Sequence, residues 1–303
     1  VKLKGEAIDP QDFDSAFGLA HHRFKKIKGH NDKIEQARAE EKSAAEIDTL
    51  TSDREAHLEL TLQMLQLALK LADRDTTKED LDRARFYMAY VYYQQEQNYE
   101  AAVLGDYISR HAGPKAETMA LDSAAIAMAS HLRGYIDSPT QELKQQSLKL
   151  IESTAARILA KWPESSRAQD TLLQLAQVYE GNRPLDAARN YSQVAENSEI
   201  YAEAQTRAGQ QFHRAWLDAS SVPPDQRPPQ QDLDSWRASA QKHLRNGISR
   251  TEKSPPETVE APELLVAAKV SLAQILNNSG KYQQTIDLLV QSPHSVITAI
   301  SVA

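Results

Sequence analysis

The sequence of 303 residues contains no cysteine, little glycine and few aromatic residues. The absence of cysteine excludes disulfides, iron–sulfur clusters, cysteine-ligated zinc and thiol catalysis. Glycine occurs only 10 times and aromatic residues make up 6% of the chain, which argues against turn-rich all-β barrels and sandwiches. Scarce glycine also argues against the glycine-rich loops that bind phosphate in nucleotide-binding proteins.

The chain likewise lacks an excess of basic residues and long apolar runs. Its 35 Lys and Arg are outnumbered by 42 Asp and Glu, which gives a net charge of −7. Because nucleic-acid-binding surfaces are usually rich in Lys and Arg, we expect no nucleic-acid partner. No apolar run approaches the roughly 18 residues of a membrane span, so no span is predicted within the sequence.

Apolar residues do recur at helical spacing through most of the chain. Leu58, Leu62 and Leu65 follow one another at steps of four and three, the repeat of one helix face. Ser52 with Glu55 matches a capping box that would begin this helix. No segment alternates with period two, so we predict an all-α fold, with helices near 11–28, 31–49, 53–73, 78–97, 99–111, 115–136, 139–161, 165–181, 184–197, 199–219, 232–251, 261–279 and 281–291.

From about residue 78 onward the predicted helices form pairs joined by short turns, and three pairs share an internal pattern. Large and small residues recur at the same spacings along the first helix, and a small residue follows nine positions after the last of them. The members are Phe86, Ala89, Tyr90, Tyr93 and Ala102; Leu172, Leu175, Ala176, Tyr179 and Ala188; and Leu272, Ala273, Leu276 and Thr285.

This pattern resembles the tetratricopeptide repeat (TPR) family of helical-repeat proteins. The resemblance covers roughly residues 78–292, with Lys269 where the other two units have a large apolar residue. It implies a right-handed α–α superhelix, a solenoid of antiparallel helix pairs with a concave face. We therefore expect N-terminal helices over 1–77, packing on a repeat array over 78–303.

The N-terminal part combines a basic stretch with an apolar seam like that of a coiled coil. We interpret the basic residues of 21–33 as a solvated helix face. On the other side, apolar residues recur at steps of four and three, and Asn31 would set the register as a polar core residue. We expect the seam to pack on the chain's own array, with self-association through it left open. The seam consists of Phe13, Phe17, Ala20, Phe24, Ile27, Asn31 and Ile34.

The sequence carries no catalytic or metal-ligating pattern. None of the nine histidines stands in an HExxH motif or another ligand spacing, and there is no Walker A loop and no G-x-S-x-G elbow. We therefore predict no enzymatic activity, no cofactor and no metal site.

If the resemblance holds, the first helix of each pair presents polar and aromatic side chains to the concave groove. Repeated Gln and Asn beside an apolar residue suit an extended peptide, because amides can pair with its backbone donors and acceptors. We therefore expect a non-catalytic scaffold that binds a protein or peptide partner in this groove. The predicted groove residues are Tyr87, Gln94, Gln95, Leu173, Gln177, Glu180, Gln205, Phe212, Gln274, Asn277 and Asn278.

Two other functions are compatible with the same residues. One is an oligomerisation or assembly module of a larger exported or membrane-anchored protein, acting through the N-terminal helix. The other is a helical enzyme or metal protein whose site assembles from distant residues. The sequence begins with Val1 and ends in an apolar stretch, so we expect an excerpt of a longer protein, truncated within the array. The absence of cysteine and of an initiator Met favours an exported bacterial protein over a cytosolic one.

Overall fold

A computed structural model describes residues 9–253 and 260–290. All regular structure in these two ranges is helical, which confirms the predicted all-α class. The apolar C-terminal stretch lies outside the described residues. The helices are α1 (Phe13–Ala39), α2 (Ala44–Leu71), α3 (Lys78–Gln94), α4 (Asn98–His111), α5 (Glu117–Asp137), α6 (Gln141–Lys161), α7 (Ser166–Tyr179), α8 (Pro184–Ser192), α9 (Tyr201–Ser221), α10 (Gln230–Lys253), α11 (Glu260–Asn278) and α12 (Tyr282–Val290).

The chain divides into two compact units, Val1–Trp162 and Pro163–Ala303. The boundary expected between residues 77 and 78 therefore falls inside the first unit, where α2 packs on α3. Within each unit every helix packs against the next along the chain. In addition, α3 contacts α5 in the first unit and α9 contacts α11 in the second.

The first unit begins with two long helices where the sequence predicted three. Gly29 lies inside α1, where a glycine costs only about 1 kcal/mol relative to alanine, so the helix continues past it. The chain turns at Glu41, whose φ is 52°. Ser43 then caps α2: its hydroxyl accepts from the backbone N–H of Glu46 and donates to the Glu46 carboxylate at 2.9 Å. This capping box begins the helix, whereas Ser52, the expected cap, lies within α2.

The apolar seam of α1 packs within its own chain. The rings of Phe17 and Phe24 lie 5.8 and 4.4 Å from the ring of Tyr87 on α3. Asn31, the polar residue of the seam, accepts a hydrogen bond from Nε of Arg54 on α2 at 2.6 Å. A polar pair in an apolar interface is satisfied in one alignment only, so this contact fixes the register of α1 on α2.

Helices α4, α5 and α6 meet at one carboxylate. Arg157 on α6 donates to Asp106 on α4, and Nε2 of His131 on α5 lies 3.8 Å from Oδ2 of the same residue. Burial alone would raise the pKa of Asp106. The contact with His131 and the charge and hydrogen bond of Arg157 outweigh it and lower this pKa to about 2.

We expect Asp106→Asn to lower the free energy of unfolding near neutral pH by about 1–3 kcal/mol, because Arg157 would lose its carboxylate partner. The carboxylate stabilises the fold above its ordinary pKa of 3.8, and this contribution is lost as the pH falls towards about 2. The difference in free energy of unfolding between wild type and variant should therefore shrink as the pH falls from 3.8 towards about 2. Urea denaturation at a series of pH values measures it, and a difference that does not change with pH would contradict the assignment.

Two glycines allow α9 and α10 to approach closely. A Cβ atom added at Gly209 would lie 2.5 Å from Cγ of Leu244 and 2.9 Å from the backbone oxygen of Ala240. One added at Gly247 would lie 2.3 Å from Oγ1 of Thr206. Neither position can hold a side chain unless the two helices move apart.

We expect Gly209→Ala to lower the free energy of unfolding by about 1–3 kcal/mol, because the backbone of α10 would have to shift. Gly29→Ala is the matched control, since a Cβ added there meets nothing within 4 Å. The free energy of unfolding of the control should rise by about 0.5–1 kcal/mol, because alanine has a better helix propensity than glycine. Urea denaturation measures both changes in stability, and an equal rise in the two variants would disprove the close approach of α9 and α10.

Candidate functional site

In the second unit, α7, α9 and α11 are linked by side-chain contacts. Arg207 of α9 lies 3.4 Å from Glu180, which follows α7, and the amide of Gln210 on α9 donates to Oγ of Ser271 on α11 at 3.4 Å. Residues three, four and seven apart share one side of a helix, so each helix contributes one stripe to a common surface. We call this the α7–α9–α11 face; it carries Leu173, Gln177 and Glu180, then Arg207, Gln210 and Arg214, then Ser271, Gln274 and Asn278.

Glu180 is held in place by neighbouring donors. The hydroxyl of Tyr191 on α8 donates to its Oε1 at 2.7 Å, and Arg207 approaches the same oxygen. Burial, followed by the hydrogen bond to Glu180, raises the pKa of Tyr191. The phenol thus stays protonated and remains a donor, which anchors the Glu180 carboxylate between α8 and α9.

Arg214 covers the C-terminal end of α7. Its Nη1 donates to the backbone oxygen of Glu180 at 2.6 Å and its Nη2 to that of Gly181 at 3.2 Å. The last carbonyls of a helix have no partner within the helix, and a cation near them is favourable. Arg214 therefore joins α9 to the end of α7 while about half of its side chain, 48%, stays exposed.

The amides on this face are open to solvent. Gln177 on α7 and both Gln274 and Asn278 on α11 are exposed, and none of the three makes a side-chain hydrogen bond to another described residue. Asn277 borders them and is exposed as well. An amide offers two donors and one acceptor oxygen, so the face presents several hydrogen-bonding groups that remain available to a ligand.

Six of the predicted groove residues lie on or beside this face, but the two on α9 do not. Gln205 is only 2% exposed, and its Oε1 lies 2.7 Å from Nδ1 of His243 on α10. Phe212 is buried and stacks on the same His243 ring at 5.6 Å. Both side chains belong to the α9–α10 interface.

The exposed stripe of α9 carries Arg207, Gln210 and Arg214 instead, and sequence reasoning missed all three. The TPR resemblance assigned Gln205 and Phe212 to the groove, whereas the structure turns that side of α9 towards α10. The steps of three and four between Arg207, Gln210 and Arg214 were the signal that could have located the exposed side of the helix.

The remaining three predicted residues belong to the first unit, and two of them, Tyr87 and Gln94, face its N-terminal helices. The ring of Tyr87 stacks on those of His21, at 5.4 Å, and Phe17, and it contacts the tilted ring of Phe24. Oε1 of Gln94 accepts from Nη2 of Arg54 at 2.6 Å, and Gln95 is half-buried at the end of α3. In this part of the chain α1 and α2 cover the side of α3 that carries Tyr87 and Gln94.

Over residues 9–253 and 260–290, no three His, Asp or Glu side chains are grouped so that they could hold a metal ion. No helix there is long and apolar enough to cross a membrane. The pKa values of His213 and His243 are lowered chiefly by burial, so both rings are neutral packing groups of α9 and α10.

Comparison of the chain with family models, with curated proteins and with solved structures finds no match in any of the three. Function has accordingly to be inferred from the geometry of this chain.

We expect Arg214→Gln to loosen the contact between α7 and α9, because two carbonyls at the end of α7 would lose their guanidinium donor. Amide hydrogen exchange near residues 176–183 should become about two- to fivefold faster, as expected for a loss of about 0.5–1 kcal/mol. Arg245→Gln, at an exposed position of α10, is the control and should leave exchange there unchanged. Identical rates in both variants would contradict the capping role of Arg214.

Proposed function

We propose that the protein is a non-catalytic interaction scaffold that binds an extended peptide segment of a partner protein on the α7–α9–α11 face. The observation that carries this proposal is the set of unpartnered amides of Gln177 on α7 and of Gln274 and Asn278 on α11, two helices that both contact α9. An extended peptide exposes N–H and C=O groups along its whole length. Amide side chains can satisfy both kinds of group, and half-buried Leu173 offers an apolar contact beside them.

We also propose that the helix pairs stack as a right-handed TPR-like solenoid, with this face on its concave side. Two contacts support the stacking: α9 packs on α10 and also contacts α11, and α3 packs on α4 and also contacts α5. In a helical-repeat protein each pair contacts the neighbouring pairs in this way. Complete burial of Ala176 and Ala188 fits the small residues that such close packing requires.

Charge on the face is nearly balanced. Arg207 lies near Glu180 and pairs with Glu203 at 2.8 Å, and Arg214 lies 3.8 Å from Asp218. Long-range attraction of a charged ligand is weak on such a surface. The peptide would therefore be recognised mainly through its backbone and through apolar contacts, and its affinity should depend little on salt.

Displayed random peptides, selected against the immobilised full chain, provide the probe for a test. We expect Gln177→Ala combined with Gln274→Ala to raise the Kd of a selected peptide roughly tenfold, because two hydrogen bonds worth about 0.7 kcal/mol each are removed. Fluorescence anisotropy of the labelled peptide measures this change.

Gln231→Ala serves as the control, because Gln231 is an exposed glutamine of α10 and lies outside the face. It should bind the peptide like the wild type. A double variant that binds with unchanged affinity, or a library from which no peptide is selected, would refute the proposed function.

A further inference from the structure

In the first unit, α4 leaves an apolar stripe uncovered. Tyr99, Val103 and Tyr107 follow one another at steps of four and are 78%, 50% and 39% exposed. The opposite side of the same helix is packed, with Ala101 and Ile108 fully buried. Scattered apolar residues are normal on a protein surface, but a continuous row of large ones indicates an interaction site.

Helix α6 runs beside α4 and widens this apolar surface. Arg157 contacts Asp106, and Nζ of Lys161 lies 3.4 Å from the backbone oxygen of Ser109, so the two helices run in the same direction. Residues seven positions apart return to the same side of a helix. Leu150 lies one such interval before Arg157, as Tyr99 does before Asp106, and it is 47% exposed.

The two ends of the α4 stripe carry opposite charges. Glu100 is exposed near the start of the helix and has no ion pair with a described residue. Arg110 is half-exposed near the end of the helix, and its one ion pair within the described part of the chain is a 3.6 Å contact with Asp106 of its own helix. Ten residues of helix place the two charges about 15 Å apart along the axis. A partner that pairs with both residues must carry a positive charge opposite Glu100 and a negative charge opposite Arg110, at the same separation.

A second copy of α4, running antiparallel, has this charge order. Glu100 and Arg110 are equally spaced from position 105, and so are Val103 and Tyr107. A two-fold axis near that position would place Glu100 of each copy opposite Arg110 of the other, with the apolar residues between the two ion pairs. A parallel arrangement would instead bring Glu100 of both copies together, which is unfavourable.

We propose that the α4 stripe, made of Tyr99, Glu100, Val103, Tyr107 and Arg110, is a self-association surface on which two copies of the chain pair their α4 helices antiparallel. The interface is isologous, so it closes at a dimer and does not continue into a fibre. Burial of the apolar side chains drives the association, and the two Glu100–Arg110 pairs set its orientation.

Charge reversal in the full chain tests both the surface and the orientation. Glu100→Arg and Arg110→Glu each place like charges opposite one another in a symmetric pair, so each variant alone should raise the dimer dissociation constant roughly tenfold or more. An equimolar mixture of the two should associate again, because each variant supplies the charge that the other lacks. Sedimentation velocity and light scattering measure the populations.

Glu35→Arg makes the same charge change on the exposed side of α1 and should dimerise like the wild type. Val103→Asp should be monomeric with an unchanged circular dichroism spectrum. A wild-type protein that remains monomeric at about 100 μM would overturn the proposal, because its association free energy would then be weaker than about −5.5 kcal/mol. The α4 stripe would in that case bind another protein or a membrane surface. A mixture that associates no better than its components would overturn the proposal as well.

Discussion

Close packing between neighbouring helices is the constraint on which the rest of this structure depends. A single helix cannot bury its apolar side, so each one is stabilised by the helices that follow and precede it. Gly209 and Gly247 have no space for a side chain, and Ala176 and Ala188 are fully buried. Because these contacts occupy part of the surface of each helix, the part that remains free is determined at the same time. The proposed binding surfaces are such free sides.

Polar contacts between helices decide how the apolar sides are aligned. Asn31 binds Arg54 between α1 and α2, and Arg157 contacts Asp106 between α6 and α4. Between α10 and α11, the fully buried Lys269 lies 2.9 Å from Glu252. Apolar packing tolerates small shifts along a helix, whereas a buried charge without its partner is costly. These contacts therefore hold the stripes of neighbouring helices in register.

The helical class and several helix ends could be predicted from the sequence because they depend on local chemistry. Pro184 begins α8 as expected, since proline is favourable at the first helical position. The continuation of α1 through Gly29 was not predicted, because packing against α2 overrides the weak local cost of glycine. The position of Tyr87 was not predicted either, since no spacing within α3 reveals that α1 covers it. On α9 the resemblance assigned Gln205 to the exposed side, whereas packing against α10 buries it.

The proposal that a peptide binds on the α7–α9–α11 face can be tested by photo-crosslinking. A peptide selected against the full chain and carrying a photoreactive group would be crosslinked, and the modified residues identified by mass spectrometry. We expect crosslinks to residues on α7, α9 and α11 and none to α8, α10 or α12. Crosslinks concentrated on the second helices, or spread evenly over the chain, would contradict it.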